Sequence, residues 1–253
     1  GTGTNMYAIH CGIEKAVGNV RTSGICADEL IAFTNDKAHP CHIEACEWLG
    51  LGRQNVHVLN TDQNGHIVIP EFELALRRYI ESGKKVACIF LNGGTTNEGY
   101  IDPIDEIVQI RDRCVQEYEL DYIPHIHVDS VISWVWLFFR SYDYDSNPLA
   151  LAPYTLRKIR SASKQISQIC HADSFGADLH KLGFCPYSTS VFMLRNIKDF
   201  GNRHARSVAA AEVLQYGEYA PFEYTMELSR SSLGPISAFF TFELLGREGF
   251  QQL

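Results

Sequence analysis

The sequence predicts an α/β fold with a mainly parallel central sheet flanked by helices. Three observations lead to it. Short strand-like runs alternate with helix-periodic stretches along most of the 253 residues. Val86 to Leu91 is continuously apolar, as a strand covered on both faces requires. The loop that follows it, Gly93-Gly94-Thr95-Thr96, is small and hydroxyl-bearing, and it lies at a strand's carboxyl end, where such sheets bind ligands.

The elements follow in order. Apolar positions Met6, Ile9, Ile13 and Val17 give a helix from Met6 to Val20, and Leu30 to Phe33 a short strand. Cys41 to Leu51 carries helix-spaced Ile43, Ala45, Cys46 and Leu49; Val56 to Leu59 is a strand and Asn64-Gly65 a turn. Pro70 starts a helix that Glu71 to Ile80 continues and Gly83 closes. After the buried strand, Asp102-Pro103 opens a helix reaching Tyr118, and His125 to Val128 is a strand. Tyr154 to Ser161 is helical, Ser190 to Leu194 a strand, and Pro235 to Leu245 a helix ending at Gly246. The polar, Gly-interrupted stretch Lys198 to Glu223 is expected to be a mobile loop. The simplest division is one main domain over 1–228, with 229–253 starting a second lobe.

Composition narrows the function. With 45% apolar and 21% charged residues the chain is neither disordered nor fibrous. A net charge of −8 and a pI near 5.7 give no general attraction to nucleic acid or anionic lipid. The longest apolar stretch, Val131 to Phe139, is interrupted by Ser133 and falls far short of the ~20 residues of a membrane span. None of the eight cysteines forms a C-x-x-C pair, so reduced thiols and a cytoplasmic location are expected.

Several segments offer chemistry. Gly1-Thr2-Gly3-Thr4-Asn5 precedes the first helix, where backbone N–H groups and the helix dipole favour an anion, although a simple N-cap fits equally. In a strand, His125, His127 and Asp129 share one face. They suit either an H-x-H metal site or an aspartate at a strand end that pairs with a protonated ring nitrogen. Taken singly, either histidine reads as a buried group hydrogen-bonded beneath the sheet. Asp173-Ser174 and His180-Lys181-Leu182-Gly183 follow. Such a lysine, alone, is an ordinary surface residue; its company of an anion loop and a strand-end aspartate, in this order, changes the reading.

That order resembles the pyridoxal-phosphate-dependent group II amino-acid decarboxylases, with the aspartate-aminotransferase-like fold. The segments that carry it are Gly1 to Asn5, Asn35-Asp36-Lys37-Ala38-His39, Gly94-Thr95-Thr96 with Gly99 to Pro103, His127-Val128-Asp129, Ala172-Asp173-Ser174, His180-Lys181, and Ser229-Arg230 followed by Leu245 to Gly249. They are collinear over nearly the whole chain. His180 to Ser190 is most similar to bacterial members acting on glutamate or aspartate.

The resemblance implies roles. Lys181 would form the Schiff base with the cofactor aldehyde, Asp129 would keep the pyridine nitrogen protonated, and His39 would stack on the ring. Gly3 and Thr4 would bind the phosphate, with Ser174 reaching the same region; His180 would add a contact beside the Schiff-base lysine, and Thr95 or Thr96 would lie near the cofactor. Val131 stands where the family commonly has a small alanine against the ring, and Asp178-Leu179 replaces a frequent Asn-Pro. Tyr216, Tyr219 and Tyr224 are candidates for a protonating loop tyrosine. The family further implies a homodimer with the active site at the interface, an amino-acid substrate, and a core here without the family's N-terminal segment and C-terminal small domain. Three alternatives stay open: a carbon–carbon lyase of the sphingosine-phosphate-lyase type, a metal-dependent hydrolase built on His125 and His127, and a non-catalytic fragment of the fold.

Overall fold

The computed structural model describes residues 1–200, 226 and 231–253. Among them the strands form one six-stranded sheet. In chain order the principal elements are α1 (Thr2–Val17), α2 (Val20–Ser23), β1 (Leu30–Asn35), α3 (Cys41–Trp48), β2 (Val56–Leu59), α4 (Ile69–Glu81), β3 (Lys85–Asn92), α5 (Ile104–Glu117), β4 (His125–Asp129), α6 (Pro153–Ile166), β5 (Ser174–Asp178), α7 (Leu179–Leu182), β6 (Ser190–Leu194) and α8 (Leu233–Gln252). The sheet order is β2-β1-β3-β4-β5-β6, parallel except for the antiparallel pair β5–β6.

The two-residue alternation of the central strands builds two cores. Ile31 and Phe33 of β1, Ile89 and Leu91 of β3, and Ile126 and Val128 of β4 face the apolar sides of α4 and α5, where Phe72, Leu76, Ile104, Ile107 and Ile110 meet them. Leu30, Ala32, Cys88 and Phe90 point the other way, against Ala8, Ile9 and Ile13 of α1 and Ala45 and Cys46 of α3. A strand covered on both faces has no place for polar alternation, which explains the unbroken apolar run of β3. Helix α1 lies flush on the sheet: a Cβ on Gly12 would come within 2.1 Å of the Ala87 carbonyl oxygen.

Helix α1 starts at Thr2, four residues before the expected Met6, so Thr4 is already in its first turn. Residues 133–141, Ser133–Ser141, form a 3₁₀ segment whose Trp134 and Phe138 pack with Phe250 of α8. Helix α8 bends at Gly246, whose φ of 54° breaks the regular helix where its end was expected. The turn at Asn64-Gly65 is present: Gly65 takes φ 75°, and Asp62 Oδ1 accepts from the Asn64 and His66 amides. Of the expected mobile stretch only Lys198 to Phe200 is described, within a short 3₁₀ turn. Tyr216, Tyr219, Tyr224 and Ser229-Arg230 lie outside the described residues. No helix among the described residues is long and apolar enough to cross a membrane.

Four of the five parallel strands, β1, β3, β4 and β5, end in Asn35, Asn92, Asp129 and Asp178, all buried. Four consecutive neighbours in a sheet thus place polar side chains at its carboxyl edge, and that edge is where the site forms.

Candidate active site

A cavity of about 930 Å³ opens over the carboxyl ends of β3, β4 and β5, bounded by the N-terminus of α1, the turn before α3 and the α7–β6 connection. Of the residues expected from sequence, Gly3, His39, Thr95, Thr96, Asp129, Val131, His180 and Lys181 line it. Thr4 and Ser174 do not. With α1 beginning at Thr2, Thr4 is turned towards the sheet: its hydroxyl donates to the Gly1 carbonyl at 2.6 Å and packs where a Cβ on Gly176 would sit. Thr2 stands at the cavity in its place. Ser174 is at the opposite, amino end of β5, its Oγ 2.7 Å from His125 Nε2 and 2.8 Å from His127 Nδ1.

Asp129 is held on one side only. Its Oδ2 accepts from Asn5 Nδ2 at 2.9 Å and lies 3.1 Å from His42 Nε2, while Oδ1 meets only the Val131 amide, at 3.4 Å, among the described residues. Burial alone would push this carboxyl up, but the hydrogen bonds from His42 and Asn5 outweigh it and hold the group well below the usual carboxylate range. Asp129 is therefore a buried anion with one oxygen free to take a donor from the cavity. Beside it the Cys41 thiol is pushed up to about 12 by burial and by the Asp129 charge, which leaves it protonated and unreactive.

Across the cavity, Asp178 is the hub for the lysine. Its Oδ2 lies 3.1 Å from Lys181 Nζ and 3.4 Å from His180 Nε2, and its Oδ1 accepts from Ser190 Oγ at 2.6 Å. His180 is pinned further by the Thr189 backbone, 2.8 Å from its Nδ1, and Tyr187 stands edge-on to its ring. Lys181 side-chain exposure of 38% leaves the amine accessible from the cavity. His39 Nδ1 accepts from the Cys41 amide at 3.1 Å, which fixes the ring's orientation at the cavity wall. The Thr95 hydroxyl is committed to its own turn, donating to Glu98 and accepting from the Tyr100 amide.

His125 and His127 stay inside the sheet and do not line the cavity. Burial pushes both down to about 3, so they are neutral. His125 does approach Asp173 and Asp199, but Lys15 Nζ sits 3.4 and 3.3 Å from those carboxylates and Arg111 Nη1 lies 2.7 Å from Asp173. The positive charge that a metal ion would bring is already supplied there by side chains. The expected H-x-H metal reading finds no support in this arrangement.

An ionised carboxylate, a lysine amine and a helix N-terminus lining one cavity make a donor set suited to a ring that carries a basic nitrogen, an aldehyde and a phosphate. The Gly3 position is open, with no atom within 4 Å of a Cβ built there, so the α1 terminus can be approached closely. Residues 1–138, which include Asp129, His39 and the α1 terminus, match the family model of the pyridoxal-dependent decarboxylase conserved domain. The chain belongs to this family. The cofactor of its conserved domain is pyridoxal phosphate, and the donor set described above fits it.

Relatives agree with the assignment. An acidic amino acid decarboxylase (GADL1) of Xenopus tropicalis is 30% identical over 122 residues, covering 48% of this chain and 24% of that protein. The L-2,4-diaminobutyrate decarboxylase of Rhizobium meliloti is 24% identical over 260 residues, covering all of this chain and 44% of that protein. Among solved structures, mouse CSAD superposes with a TM-score of 0.73 at 20% identity, over 99% of this chain and 47% of that one. Oryza sativa TDC, solved with pyridoxal phosphate and tryptamine, gives 0.72 at 14% identity, over 99% and 46%. These structures establish the aspartate-aminotransferase-like fold that the sequence anticipates. The chain spans between about a quarter and a half of the length of the relatives it matches.

Asn5, His42, Thr2 and Asp178 are the site residues that sequence reasoning missed. The signal for His42 was its place three residues after His39, and Asp178 was noticed only as a departure from Asn.

Proposed function

We propose that the protein acts as a pyridoxal-phosphate-dependent amino-acid α-decarboxylase, releasing CO₂ from an L-amino acid and leaving the amine. The observation that carries this reading is that Asp129, Lys181 and the α1 terminus line one cavity. When bound, pyridoxal phosphate supplies a conjugated ring that accepts the electron pair set free at the substrate Cα. Lys181 is the residue that holds the aldehyde end, and Asp178 orients its Nζ. Asp129 keeps a proton on the ring nitrogen; its charge costs little there because Asn5 and His42 already solvate it. The amides at Thr2 and Gly3, the Thr2 hydroxyl and His180 hold the phosphate, where the helix dipole adds to the attraction. His39, Val131, Thr95 and Thr96 line the same cavity and would contact the ring. A ring fixed at both ends lets the side chains around it set which substrate bond stands perpendicular to it, and so which bond breaks.

An acidic amino acid such as glutamate or aspartate is the preferred substrate in this reading. The printed names of an acidic amino acid decarboxylase and an aspartate 1-decarboxylase among the relatives support it. We assign the protein to the cytoplasm as a homodimer that completes the site at its interface, with a cofactor domain over 1–228 and a C-terminal lobe starting at 229. Exposed Leu233, Ile236, Phe239 and Phe240 along α8, next to the cavity, supply an apolar face for such a contact. The test is CO₂ release from carboxyl-labelled glutamate, aspartate and 2,4-diaminobutyrate. Labelled CO₂ from one of them, absent in Lys181→Ala, supports the proposal. Release of an aldehyde in place of CO₂ points to the carbon–carbon lyase, and cofactor binding without any turnover points to a non-catalytic fold.

A further inference from the structure

His42 stands behind Asp129, away from the cavity. It is fully buried in α3, its ring stacked on Phe90 with centroids 4.8 Å apart and planes 20° apart. One ring nitrogen, Nε2, lies 3.1 Å from Asp129 Oδ2; the other, Nδ1, lies 2.8 Å from Thr34 Oγ1. The carboxylate can only accept, so Nε2 carries a proton and donates it, while the Thr34 hydroxyl engages the other ring nitrogen. Thr34 of β1, His42 of α3 and Asp129 of β4 thus form a relay that crosses the sheet over β3.

We propose that His42 is a positioning residue for Asp129: together with Asn5 it saturates Oδ2 and so leaves Oδ1 as the oxygen presented to the pyridine nitrogen of the bound cofactor. The inference rests on the pyridoxal phosphate reading of the cavity. Its physical basis is lone-pair accounting. Asn5 and His42 occupy Oδ2, with the Cys41 thiol 4.0 Å from the same oxygen, whereas Oδ1 has one long contact to the Val131 amide and a site left over. A carboxylate without this clamp rotates about χ2, and a charge-assisted hydrogen bond depends strongly on the angle at which the oxygen meets its donor. The packing of the ring on Phe90 could be met by any flat side chain. The donated hydrogen bond could not.

The experiment is a spectral titration of the cofactor-free chain with pyridoxal phosphate and with its 1-deaza analogue, in which C–H replaces the ring nitrogen. Wild type is expected to prefer pyridoxal phosphate by tenfold or more, on the order of one charge-assisted hydrogen bond. His42→Phe keeps the stack on Phe90 but donates nothing; it should weaken pyridoxal phosphate about tenfold while the deaza analogue moves by less than about twofold. His42→Gln, which restores a donor, should recover part of the preference. Thr34→Val should erode it in the same direction, about threefold, by freeing the tautomer. Equal losses for both ligands in His42→Phe, or no loss, overturn the proposal. If the Phe variant does not fold, Thr34→Val carries the same comparison, and an unchanged preference there overturns it as well. A wild type that binds neither ligand, or both equally, refutes the cofactor reading of Asp129 itself, so the two failures are distinguishable.

Discussion

Replacing Asp129 by Asn exchanges one carboxylate oxygen for an amide nitrogen, and the surroundings dictate which one. Both groups at Oδ2, the Asn5 amide and His42 Nε2, are donors at 2.9 and 3.1 Å. The new carbonyl must therefore turn towards them, which puts the –NH₂ at the Oδ1 position. There it faces the Val131 amide and, in the holoprotein, the ring nitrogen: a donor set against donors. The loss is one hydrogen bond to a charged group, about 1.5–3 kcal/mol. In affinity that is roughly 10- to 150-fold. The assay is absorbance titration with pyridoxal phosphate, run beside borohydride reduction to score attachment at Lys181. Asp129→Asn should bind weakly and still be labelled at saturating cofactor, because Lys181 and its partner Asp178 are untouched. Binding within about twofold of wild type would refute the assignment of Asp129 to the ring nitrogen.

Three further outcomes follow from the same geometry. Thr2→Val should weaken cofactor binding about fivefold by removing a hydroxyl at the phosphate end, while Thr4→Val should cost about 1 kcal/mol of stability in urea unfolding and change affinity less. Ser174→Ala removes the hydroxyl shared by two buried imidazoles and should destabilise the fold by about 1–3 kcal/mol with cofactor affinity unchanged. Acidification should destabilise the chain between pH 6.5 and 4. His125 and His127, held down to about 3, take up protons there only on unfolding, whereas Asp102, pushed up to about 7 by burial, releases one. The net uptake of one proton on unfolding lowers the unfolding free energy by about 1.4 kcal/mol per pH unit; denaturant midpoints that rise on acidification over this range would contradict it.

The sheet was legible because most of its strands are short apolar runs set between helix-periodic stretches, down to the bounds of β2 and β6. What failed has local causes. Strand β5 reads Ser-Phe-Gly-Ala-Asp, small and polar, with no alternation to find; it is buried because Thr4 of α1 closes over Gly176. The same contact accounts for the misplaced phosphate residue. A helix assumed to begin at Met6 leaves Thr4 near its cap, whereas one that begins at Thr2 rotates Thr4 onto the sheet and brings Thr2 to the cavity. Ser174 was misjudged because, with β5 unseen, nothing showed that Ser174 and Asp178 stand at opposite ends of one strand. Lys181 and Asp129, which the fold brings to one cavity, were singled out because each sits in a motif of its own. Asn5 and His42 were not, since they act through Asp129 from other elements and only the folded chain brings them to it.

The central claim is that Lys181 and Asp129 grip opposite ends of one cofactor. Its most direct measurement is peptide mass analysis after pyridoxal phosphate loading and borohydride reduction. The account predicts one modified peptide, the one containing Lys181, with labelling at limiting cofactor reduced in Asp129→Asn. A modification spread over surface lysines such as Lys158 and Lys164, or one at Lys181 indifferent to Asp129, would contradict it.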